Sequence, residues 1–143
     1  MAITSAVCTS FKVEILKAVH NFSASGGNTF NLALYTSSAS LGASTTAYTT
    51  SNEVSGSGYT AKGNALTSVD PVADSTTAVC DFSDTSFTSA SFTARGCLIF
   101  NDSASGDPAV CVIDFGSDKT VTSGTFTIEF PAQTAGNAII QIA

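Results

Sequence analysis

Two runs of residues constrain this chain more than any other feature. Gly96 to Phe100 (GCLIF) and Ala109 to Phe115 (AVCVIDF) are apolar at nearly every position, and NDSASGDP lies between them. Runs this short, bounded by turn residues, read as strands covered on both faces or lying centrally in a sandwich. The linker is dense in Ser, Gly, Asp and Pro, so the two runs predict an antiparallel hairpin.

Elsewhere the hydrophobic period is two. Phe30, Leu32 and Leu34 alternate with Thr29, Asn31 and Ala33. Ala78, Cys80 and Phe82 alternate as well, and Phe126, Ile128 and Phe130 form the cleanest half-buried pattern. Ser83-Asp84 and Ser89 separate two shorter expected strands around Phe87 and Phe92, and the chain closes on another, NAIIQIA. About eight strands with short turns, in a chain of one-domain length, predict a mainly β domain over 1–143. The expected architecture is an antiparallel sandwich or jelly-roll-like domain. A helical period occurs only between Ala6 and Phe22. Phe11, Ile15 and Val19 recur four apart, with Leu16 widening the stripe, which predicts an N-terminal helix near residues 8–20. Asn21, Ser23 and Gly26-Gly27 end it.

Two segments fall outside this pattern. Residues 1–8 read as an extended N-terminal arm. Residues 36–57 are rich in Ser, Thr, Ala and Gly, and a connection this long is either a sandwich crossover or a functional loop that orders against a neighbouring subunit.

Charge narrows the function classes. Only 11% of residues are charged and the net charge is −6, against about 25% charged in a typical domain. Lys12, Lys17, Lys62, Arg95 and Lys119 are scattered singly, so neither a phosphate-tracking groove nor an anionic membrane surface is expected. No apolar run is long enough to span a bilayer. The N-terminus, MAITSAVCTSFK, has neither the basic nor the apolar region of a secretory signal, so synthesis and folding in a host cytoplasm are expected. Cys8, Cys80, Cys97 and Cys111 contain no CxxC spacing, and reduced, inert core thiols are the expectation. His20 alone does not make a zinc site.

Loops with chemical potential are few. Asn52 to Asn64 (NEVSGSGYTAKGN) is glycine-rich with one lysine, but the lysine precedes the second glycine, and no buried strand leads in. A phosphate loop needs the opposite order, so the stretch reads as a turn with Tyr59 packed beside it. No GxSxG accompanies His20. Most of the aspartates sit in turns. Asp114, inside AVCVIDF, is the exception and needs a partner such as Lys119 or Arg95. The loop Asn101 to Asp107 lacks the DxDxDG calcium pattern. The reading therefore assigns no catalytic, cofactor-binding or metal residues, expects no cofactor and no enzyme, and points to a protein whose product is a surface.

Several blocks together carry a resemblance. MAITSAVCTSFKVEILKAVHNF, TFNLALYTSSA, EVSGSGYTAKG, SFTARGCLIFND, PAVCVIDFGSDKTVTSGTFTIEFP and AIIQIA resemble small virion proteins of tailed bacteriophages and cyanophages, over nearly the whole chain. The resemblance implies a structural role on the virion surface. Within it, the best assignment is a capsid decoration (cement) protein that binds the assembled major capsid protein shell and itself forms a homotrimer, without nucleic acid or membrane. The alternative is a tail, fibre or receptor-binding component, with Tyr48 and Tyr59 as a glycan platform.

Overall fold

The computed structural model describes residues 2–143; Met1, the first residue of the expected arm, lies outside them. The chain is mainly β, with antiparallel sheets and one short helix in a sandwich-like arrangement. In chain order the elements are β1 (Ala6–Val7), α1 (Thr9–Leu16), β2 (Phe30–Tyr35), β3 (Asn64–Ala65), β4 (Ser68–Asp74), β5 (Thr77–Phe82), β6 (Thr85–Asn101), β7 (Ala109–Ile128) and β8 (Ile140–Ile142). One sheet runs β1-β7-β6-β2-β3 and the other β4-β5-β8.

The expected hairpin is the centre of the larger sheet. Cys97 pairs with Ile113, Leu98 with Val112 and Ile99 with Cys111, while β2 pairs along the other side of β6 from Tyr35↔Gly96 to Phe30↔Asn101. Strands flanked on both sides and covered on both faces must be apolar throughout, which is why Gly96–Asn101 and all of β2 are buried. The expected alternation in β2 is therefore corrected: Asn31, Ala33 and Tyr35 are as enclosed as Phe30, Leu32 and Leu34.

Different layers cover the two faces. Phe30, Leu32 and Leu34 point to one side. There Phe22 stacks on Phe30 at 4.3 Å between ring centroids, and Phe82 of β5 meets Phe30 at 5.9 Å, joining the two sheets. Asn31 and Tyr35 point to the other side, where residues 36–63 lie. Asn31 donates to the Lys62 carbonyl, Tyr35 donates its hydroxyl to the Thr49 carbonyl, and the Tyr48 ring stacks on Phe100 at 4.8 Å. The long 36–57 segment is thus ordered by its own sheet.

Residues 2–8 are extended but tied down. Ile3 bridges to Leu41, Ala6 and Val7 pair with Val112 and Cys111, and the Cys8 N–H bonds the Val110 carbonyl.

The hairpin extends further than expected. Ser89 is a bulge residue with φ +48°, so one seventeen-residue β6 replaces the two short strands. The helix is shorter than expected. Ala18 turns left-handed at φ +58°, which carries Val19 out of the helix and sends His20 into the core. Phe11 is buried and Ile15 half-buried, but Leu16 is 89% exposed and widens no buried stripe.

Candidate interaction surface

The glycine-rich stretch Asn52 to Asn64 holds a carboxylate clasp. Glu53 Oε2 accepts the Tyr48 hydroxyl at 2.6 Å. Its Oε1 accepts the Tyr59 hydroxyl at 2.6 Å and the Lys62 N–H at 2.8 Å. The Tyr59 oxygen also accepts the Leu34 N–H at 2.9 Å, which fastens the clasp to β2. Burial, then the neighbouring Glu53 carboxylate, pushes the Tyr48 hydroxyl up to about 12 and Tyr59 higher still. The glycines let backbone meet backbone: a Cβ on Gly63, at φ +66°, would overlap the Leu32 carbonyl. Lys62 faces two carboxylates, Asp102 and Asp107, each at 2.8 Å, whose hydrogen bonds hold its ammonium above the usual lysine range. The stretch is the turn expected from its sequence, serving to press residues 52–64 onto the sheet. The two Lys62 bonds engage one oxygen each of Asp102 and Asp107 in the Asn101–Asp107 loop. Tyr48 and Tyr59, both half-buried, give their hydroxyls to Glu53 and stack on Phe100 and Phe87.

Asp114 takes Arg95 as its partner, at 3.0 Å; it also accepts the Gly116 N–H at 2.9 Å. The backbone bond first, and the guanidinium second, hold its carboxyl below the ordinary aspartate value. This contribution to stability is present above that value and fades as pH falls through the lowered one.

His20 is a buried strut. Asn101 accepts the Ser103 and Ala104 N–H groups through Oδ1, which fixes its amide orientation. Its Nδ2 therefore donates to His20 Nδ1 at 3.1 Å and to Asn28 Oδ1 at 3.0 Å. His20 must then carry its proton on Nε2, which donates to Glu14 at 3.1 Å. The network links α1, the β6–β7 turn and the start of β2, and nothing in the periodicity signals it.

All four cysteines are free. Burial pushes the Cys8 thiol up to about 11 and Cys97 to about 12, and raises Cys80 and Cys111 as well. Among the described residues, no group of three His, Cys, Asp or Glu side chains is arranged to hold a metal.

Four large apolar side chains are exposed: Val13 and Leu16 of α1, Val72 of β4 and Ile142 of β8. Leu16 and Val13 of α1, 89% and 51% exposed, lie on one side of the helix, and Ile142 of β8 is 58% exposed. A groove of about 520 Å³ runs between α1 and β8, lined by Val7, Phe11, Lys12, Ile15, Leu16, Ile140 and Ile142. A second groove, of about 850 Å³, lies beyond Val7 under the curve of β7, against Phe115, Phe126, Ile128, Phe130 and Ile139. The sequence reading missed this surface because it counted Leu16 as core and left Ala6–Val7 in a free arm.

No protein-family model, no curated protein and no solved structure matches this chain.

Proposed function

We propose that the chain is a structural protein of a bacteriophage particle, a capsid decoration protein that docks on the assembled major capsid shell and stabilises it. The observation that carries this reading is the exposed apolar patch that Leu16 and Ile142 form at the groove between α1 and β8. A leucine that exposed on a short helix gains nothing for the fold and is suited to being covered by a partner. The Glu53-bound tyrosines and the ion-paired Lys62 leave the loop side polar and self-satisfied, so the two surfaces differ in kind. The partner is taken from the resemblance of the sequence blocks to virion proteins. A protein that binds the assembled shell and not its loose subunits stabilises the shell by mass action.

The test uses particles from which this protein has been removed. Added back in purified form, it is expected to sediment with the shells and restore resistance to heat and osmotic shock, while a Leu16→Ser variant with an unchanged melting curve binds weakly or not at all. Wild-type protein that stays in the supernatant, or shells equally resistant without it, would overturn the reading.

A further inference from the structure

The two edges of the long hairpin are treated differently. The outer half of β6 is covered by the 56–58 loop, through the Ser57–Ser91 bridge. The outer side of β7 is covered only near its start: β1 pairs with Cys111 and Val112, the Cys8 N–H bonds the Val110 carbonyl, and the Ser5 hydroxyl accepts the Asp114 N–H. From Val121 to Ile128, the only strand that pairs with β7 is β6, and among the described residues no other backbone group bonds to this stretch. An uncovered strand edge presents unpaired N–H and C=O groups, and its natural occupant is another strand.

The other sheet edges are blunted. β1 and β3 have two residues each and β8 three. β4 contains Pro71, a bulge between Val69 and Val72, and two aspartates, all of which discourage pairing. Val121–Ile128 (VTSGTFTI) contains no charge and no proline. In a chain of net charge −6, this is an edge along which two copies meet without like charges opposed. The bulge around Ser123, at φ +45°, leaves Gly124–Ile128 as the regular part.

That stretch, GTFTI, is self-complementary. We propose that two copies of the chain pair antiparallel along Gly124–Ile128 of β7 about a two-fold axis through Phe126, joining their larger sheets into one. In this register Phe126 lies opposite the partner's Phe126, Thr125 opposite the partner's Thr127, and Gly124 opposite the partner's Ile128, where the missing side chain makes room. Aromatic pairs and hydroxyl pairs are favourable across antiparallel strands, and within the chain β7 already uses both: Phe126 against Phe87, and Thr127 hydrogen-bonded to Ser86 at 2.9 Å. The pairing also closes over the mouth of the groove that Phe126 and Ile128 line. A two-fold contact is isologous and closes at two copies, in contrast to the trimer that the virion resemblance implies. The inference does not depend on the shell as partner.

The experiment is light scattering coupled to size exclusion at micromolar protein, on wild type and two double variants. Thr125 and Thr127 are both exposed, and substitution removes only the surface hydrogen bond from Thr127 to Ser86, a loss that both variants share; matching melting curves check that the fold is kept. Wild type is expected at twice the 14.5 kDa chain mass. Thr125→Lys with Thr127→Lys opposes like charges at both symmetric positions and should weaken the dimer by about tenfold or more. Thr125→Lys with Thr127→Glu opposes unlike charges in this register alone and should keep it. Single-chain mass at every concentration, threefold mass, or equal behaviour of the two variants would each overturn the proposal.

Discussion

Glu53 shows how a single side chain organises a loop. One carboxylate accepts two hydroxyls and a backbone N–H, and through Tyr59 it reaches the backbone of β2. Replacing it with glutamine keeps the shape but removes the charge and turns an NH2 group toward a tyrosine hydroxyl. Hydrogen bonds to charged groups contribute about 1.5–3 kcal/mol, so Glu53→Gln should lower the unfolding free energy by about that much in urea titration. An unchanged midpoint would show that the clasp forms without stabilising the fold. Gly63, Tyr59 and Lys62 were legible in the sequence as turn residues, because glycine beside an aromatic in a polar stretch has few other uses. The role of Glu53 was not, because its three donors come from residues up to nine positions away and meet only once the loop has folded.

At the scale of elements, legibility followed burial on two faces. GCLIF and AVCVIDF could be placed because a central strand tolerates no polar side chain on either side. β5 could not be placed in register. Val79 and Phe82 are the buried residues, three apart, in place of the expected Ala78, Cys80 and Phe82. The bulge between Val69 and Val72 in its partner strand adds local twist there, and strict alternation fails. α1 shows the reverse error: its apolar pattern continues in sequence, but the helix ends at Leu16, the left-handed Ala18 redirects the chain, and Leu16 lies on the helix face turned away from the buried Phe11. Because so little of Leu16 is enclosed, Leu16→Ser should change stability by no more than about 0.5 kcal/mol, measured by thermal unfolding. A loss of several times that size would mean that the helix end is part of the core and is not a docking surface.

Across the whole molecule, burial of weakly acidic groups sets the pH response. Cys8 and Cys97 are raised to about 11 and about 12, and Tyr48 to about 12. For a group whose folded value lies above its unfolded one, the stabilising contribution is complete below the unfolded value and is lost as pH rises toward the folded one. An unfolded thiol titrates near about 8.5. The melting temperature, followed with all thiols kept reduced, should therefore decline steadily from about pH 8.5 to about pH 11. A flat profile over that range would contradict the buried, protonated state assigned to these groups.

The function proposed for the molecule as a whole is that of a packed scaffold whose apolar patch beside α1 and β8 docks on a capsid. The most direct test is the number of copies in purified virions, taken from a quantified gel against the major capsid protein. A copy number in fixed proportion to that protein, as docking all over the shell requires, is the predicted result. A handful of copies confined to one vertex or to the tail, or none at all, would contradict it.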